Sequence, residues 1–98
     1  MNVNFKPIRH NETLKIVKNG DELTVNEEVY DFSSLSDGHK LPRGSIDNKW
    51  IVGDVYREDG ILNITFLLPH GKNASEETRY FESIINPDDG ELDLPPYN

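Results

Sequence analysis

The groups that could do chemistry are few and scattered. Histidines stand at 10, 39 and 70, in stretches that read as different local structure. No two of them have the spacing by which imidazoles share a metal ion. Ser33, Ser34, Ser36, Ser45, Ser75 and Ser83 lack the strand–turn–helix context that exposes a serine nucleophile. Asp88-Asp89-Gly90-Glu91-Leu92-Asp93 offers the hard oxygens calcium takes, but the alternating acids and closing glutamate of an EF-hand loop are missing. Pro87-Asp88-Asp89-Gly90 reads more plainly as a turn, since proline presets one φ and glycine accepts a positive one. Paired carboxylates for glycoside hydrolysis would have to be picked from 18 acids, so some pairing would always be found by coincidence. Cysteine is absent, which removes disulfides, thiolate metal sites and a cysteine nucleophile. The chain thus names no catalytic residue, cofactor or metal ligand, and the expectation is that it is not an enzyme.

Binding is the more promising chemistry. His70 lies in Pro69-His70-Gly71 at the end of the strongest strand pattern, a common place for a recognition residue. Arg79 and Tyr80 follow within one short segment, and Trp50 and Tyr56 are further aromatic anchors of the kind interfaces favour. A possible interaction patch is therefore His70, Arg79, Tyr80 and Trp50. Trp50 also reads as core, because a chain with 35% hydrophobic residues can hardly expose its single tryptophan.

Charge narrows the partners. The net charge is −8. Residues 1–20 carry Lys6, Arg9, Lys15 and Lys18 against Glu12, while residues 73–98 carry seven acids against Arg79 alone. Most of this surface repels a phosphate backbone, so nucleic acid is not an expected partner. The basic N-terminal segment is suited to an acidic partner or to the chain's own acidic C-terminal segment. No apolar run approaches the ~20 residues of a membrane helix. Met1 to Lys6 lacks the apolar stretch of a secretory signal, so the glycosylation patterns at Asn11, Asn63 and Asn73 carry little meaning.

The elements that must position these residues read as strands. Leu14 and Ile16 alternate with polar neighbours, and Asn19-Gly20 then suggests a type I′ hairpin turn. Leu23-Thr24-Val25, the tight connection Asn26-Glu27-Glu28 and Val29 to Phe32 extend this into a meander. Residues 33–48 read as a loop, pinned by Leu35, Leu41 and Ile46. Trp50 to Tyr56 is rich in β-formers, and Arg57-Glu58-Asp59-Gly60 turns the chain. Leu62, Ile64, Phe66 and Leu68 then share one face, the clearest period-2 pattern in the sequence and the expected central strand. A helical turn is expected across Asn73 to Thr78, then a strand over Arg79 to Ile85 and a short edge strand at Leu92 to Leu94. The first strand falls within Val3 to Arg9. The expectation is a single all-β domain over residues 1–98, a small antiparallel sandwich or barrel of about seven short strands built from hairpins, with a short tail at 95–98.

Leu41-Pro42-Arg43, Ile46-Asp47, Trp50, Leu67-Leu68-Pro69-His70-Gly71, Asn73-Ala74 and Glu76-Glu77-Thr78-Arg79-Tyr80-Phe81 together resemble a group of small uncharacterised bacteriophage and prophage proteins. Leu94-Pro95-Pro96-Tyr97 is similar to the ends of those chains. The resemblance covers most of the sequence. It implies a gene among phage tail genes and an accessory or structural role, cytoplasmic in a bacterial host or virion-associated, through contact with a phage or host protein. It carries no catalytic residue and no cofactor. Two other expectations stay open: a small-ligand-binding or hydrolytic β domain with carboxylates converging near His70, and a self-assembling structural protein.

Overall fold

The computed structural model describes residues 1–98. Its elements are β1 (Asn2–Arg9), β2 (Ile16–Asn19), β3 (Glu22–Val25), β4 (Glu28–Asp31), β5 (Lys40–Leu41), β6 (Ile51–Glu58), β7 (Ile61–His70), α1 (Glu76–Arg79), β8 (Ser83–Ile85) and β9 (Gly90–Glu91). They form a five-stranded sheet ordered β5-β6-β7-β1-β8 and a four-stranded sheet ordered β4-β3-β2-β9. Neither sheet closes on itself, so the architecture is a sandwich rather than a barrel.

One core lies between the sheets. The period-2 face of β7 supplies Leu62, Ile64, Phe66 and Leu68, each at most 2% exposed. β1 adds Val3 and Phe5, the opposite sheet adds Ile16, Leu23 and Val25, and Phe32, Trp50 and Leu92 close the ends. Phe5 stacks on Phe66 with ring centroids 6.3 Å apart and meets Phe81 at 5.3 Å. Removing a ring such as Phe66 would cost about 3–5 kcal/mol, because a packed core cannot collapse around the void.

The hairpins form as the sequence indicates, though the turn chemistry is distributed differently. The β2–β3 loop is Gly20-Asp21, since Asn19 pairs with Glu22. Only Gly20 has a positive φ, +62°, which is the type II′ pattern and not the type I′ expected from Asn19-Gly20. Both central residues are left-handed instead at Asn26-Glu27, with φ of 45° and 78°, and at Asp59-Gly60, with 52° and 78°. Glu27 is strained there, because its Cβ crowds the backbone in that region. Asn26 offsets part of this. Its Oδ1 accepts from the Lys15 N–H at 2.7 Å, and its Nδ2 donates to the Thr13 carbonyl at 3.0 Å.

The antiparallel-rich sandwich stands as expected, and four details differ. First, one pair is not antiparallel: β1 pairs with β7 in parallel, in the register Val3–Ile64 and Phe5–Phe66. Alternation tells which face a residue lies on but not which strand lies beside it. Second, residues 33–48 are not one loop. Lys40 and Leu41 pair with Tyr56 and Val55, although Leu35, Leu41 and Ile46 pin the segment to the core as expected. Third, Arg79 to Ile85 is not one strand. Arg79 ends α1, Tyr80 caps it, and only Ser83–Ile85 is extended. Buried Thr78 holds that turn by donating its hydroxyl to the Pro96 carbonyl at 2.5 Å. Fourth, the last strand is Gly90–Glu91 rather than 92–94, and Leu92 is core.

Arg57, expected within a turn, lies on β6 and joins several segments. Its Nε donates to the Leu35 carbonyl at 2.6 Å, and its Nη2 donates to the Phe32 carbonyl at 3.0 Å and to Asp21 Oδ2 at 3.3 Å. The side chain is 13% exposed. One cation thus ties the 32–35 segment and the β2–β3 turn to the larger sheet.

Candidate interaction surfaces

The structure disperses the four residues of the expected patch. Trp50 is 5% exposed and is core. Its ring makes a T-shaped pair with His10, centroids 5.2 Å apart, and carries the Lys49 ammonium 5.0 Å from its centroid. Lys49 is also bonded to Glu12, and this bond holds the Glu12 carboxyl below the usual carboxylate range. His70 is half-buried, and its carbonyl accepts from the His10 N–H at 3.1 Å. Two histidines that read as unrelated are therefore neighbours, joined by the parallel pairing of β1 and β7. Tyr97, in the short tail at 95–98, donates its hydroxyl to the His10 carbonyl, while its own carbonyl accepts from the Gly71 N–H at 2.7 Å. Residues 95–98 are thus bound to the body of the domain.

Arg79 and Tyr80 remain exposed. Tyr80 is 73% exposed, the highest value among the large hydrophobic side chains. α1 and Tyr80 lead into β8, the outermost strand of the larger sheet. The Phe5 N–H donates to the Glu82 carbonyl at 2.8 Å and the Asn86 N–H to the Met1 carbonyl at 2.8 Å, while Val3 lies opposite Ile84. By alternation the N–H and C=O groups of Ser83 and Ile85 point away from β1, to the open side of the sheet. The Ile85 side chain is 60% exposed. An unpaired strand edge with flanking apolar side chains is a template for another extended segment.

An edge of the smaller sheet, β4, is guarded differently. Glu28 and Asp31 flank Val29 and Tyr30, and the Tyr30 hydroxyl donates to Glu28 at 2.6 Å. Charges on an edge discourage pairing. The Glu28 carboxylate also raises the Tyr30 pKa above its ordinary value.

A cleft of about 760 Å³ opens between the 43–49 segment and β6, lined by Lys6, Arg43, Lys49, Asp47, Ile51 and Gly53 among others. Gly53 has φ +73° at a bulge in the β6–β7 pairing, a conformation that glycine adopts without steric cost. No carboxylate cleft forms around His70, which lines none of the principal clefts. The acidic 88–93 segment serves the fold instead. Asp89 Oδ1 accepts from Lys18 Nζ at 2.8 Å and from the Gly20 N–H at 3.0 Å, and both bonds hold its pKa down. The basic N-terminal segment thus meets the chain's own acidic C-terminal segment.

No known protein family, curated protein or solved structure gives a significant match to this chain. No group of three His, Asp or Glu side chains is placed to hold a metal ion, and no helix is long and apolar enough to cross a membrane.

Proposed function

We propose that this protein is a phage or prophage accessory or structural component that works by protein–protein contact, with β8 as its docking strand. The observation that carries this reading is the open edge at Ser83 and Ile85, flanked by exposed Ile85 and Tyr80. Backbone groups along such an edge supply affinity, and the two side chains and Arg79 supply selectivity. The resemblance of the 41–84 stretch to phage and prophage proteins supplies the setting: the bacterial cytoplasm or the virion, among tail components. Catalysis has no part in the proposal.

The test is capture of partners by the tagged protein from its native host under prophage-inducing conditions, compared with an Ile85→Pro variant. Proline removes the outward N–H of residue 85 and leaves the Val3–Ile84 pair in place. A phage protein recovered in stoichiometric amount by the native chain and lost with Ile85→Pro supports the proposal. Equal recovery by both chains, with the variant folded, would rule out β8 as the docking strand. If light scattering shows concentration-dependent dimers that the variant lacks, the edge serves a second copy and the reading becomes self-assembly.

A further inference from the structure

The cleft beneath the 43–49 segment has the opposite electrostatic character to the molecule around it. The chain carries −8 overall, yet three cations and one carboxylate, Asp47, line this cleft. Lys49 is held by Glu12 and by the Trp50 ring. Lys6 and Arg43 have no carboxylate within ion-pairing distance, unlike Lys18, Lys40, Lys49 and Arg57.

Backbone geometry adds a second, independent set of donors. Loop residues fold so that Ser45 donates to Pro42, Asn48 to Ile46, and Arg43 N–H to Asp54 Oδ1 at 2.8 Å. The cleft-lining amides of Gly44, Asp47 and Lys49 donate to no group of the chain. Ile46, Ile51 and Val52 supply an apolar wall. Unbonded N–H groups on lining residues, beside unpaired cations, suit an anion, and the cleft volume lies within the range of small-molecule sites.

We infer that this cleft binds a small phosphate monoester, with the phosphate held by Arg43, Lys6 and the loop amides, and with its organic group against Ile46, Ile51 and Val52. Arginine's planar fork suits phosphate oxygens better than a point charge does. The net negative charge of the molecule does not prevent this, because exposed charges farther than about 8 Å away are screened at physiological salt. A long polyanion would meet the acidic surface beyond the cleft, so the site suits a compact ligand rather than nucleic acid. The inference is independent of the β8 edge.

The test is a titration of the ¹⁵N-labelled full chain with phenyl phosphate at fixed pH and ionic strength, beside inorganic phosphate. Saturable shifts are expected at the amides of Gly44, Asp47 and Lys49, with phenyl phosphate binding several-fold tighter. Arg43→Gln should weaken binding by about tenfold, the loss of roughly one charge-assisted contact, while Lys72→Gln leaves it unchanged. Unperturbed shifts elsewhere in the spectrum establish that each variant is folded. Drift without saturation, shifts centred on Lys72 or Arg79, or full affinity in Arg43→Gln would overturn the site. Equal affinity for phosphate and phenyl phosphate would overturn the apolar wall.

Discussion

Arg57 and Arg43 lie on either side of the same strand pairing, β5 on β6, and the fold treats them in opposite ways. Arg57 is nearly enclosed and directs its guanidinium at three carbonyls and a carboxylate. Arg43 is exposed, and only its backbone N–H is bonded, to Asp54. A cation bonded to several segments of its own chain holds them together. A cation left unpaired beside free amides is available to something outside. The same contrast separates two of the sheet edges: β4 carries its own acids, while β8 leaves Ser83 and Ile85 open.

The largest test of this contrast is Arg57→Ala, expected to destabilise the domain by about 2–4 kcal/mol through the loss of charged hydrogen bonds and a stranded set of carbonyls. Urea unfolding measures it, and a loss below about 0.5 kcal/mol, the range of ordinary surface changes, would erase the distinction between the two arginines. Glu27→Gly serves as a control on backbone strain away from both. It should stabilise by about 0.5–1 kcal/mol by relieving a left-handed residue, and thermal unfolding would detect it as a rise in Tm.

Acid tests the internal clips. The carboxyls of Glu12, Asp31 and Asp89 are held below their ordinary values of 4.5, 3.8 and 3.8 by Lys49, by Ser33, and by Lys18 with the Gly20 amide. Their contribution is complete above those ordinary values and is lost as pH falls through the lower folded values. Asp89→Asn should therefore flatten the fall in stability below about pH 4, seen by urea unfolding across a pH series; an unchanged slope would mean the Lys18 clip contributes nothing. Tyr30 has the opposite sign: its raised pKa gives stability present below pH 10.0 that fades as pH rises through the folded value. The smallest expected effects are those of Arg43→Gln and Tyr80→Ser, each within about 0.5 kcal/mol. A larger cost for either in the same unfolding assay would move that residue from the open surface to the framework.

Much of the fold was legible in the chain. The period-2 face of Leu62, Ile64, Phe66 and Leu68 identified the central strand, and glycine and asparagine pairs marked the hairpins, because side-chain alternation and left-handed turns are local properties. The candidate surfaces were less legible. Tyr80 and Arg79 were named from the sequence and are exposed, but Trp50 had two readings that only burial could separate. Lys6 and Arg43 carried no signal, since nothing local shows that residues 37 positions apart line one cleft.

The sequence by itself determined the composition of the strands, the approximate position of the hairpins, the absence of cysteine chemistry and an acidic surface with a basic N-terminal segment. These follow from residue type and short-range spacing. Only the tertiary structure decided that β1 lies parallel to β7, that β8 is left with an open side, that Arg57 is bound while Arg43 is free, and that His10 meets His70. Each of these depends on which distant segments become neighbours. That choice is made by burial of the whole core at once rather than by any one stretch of chain.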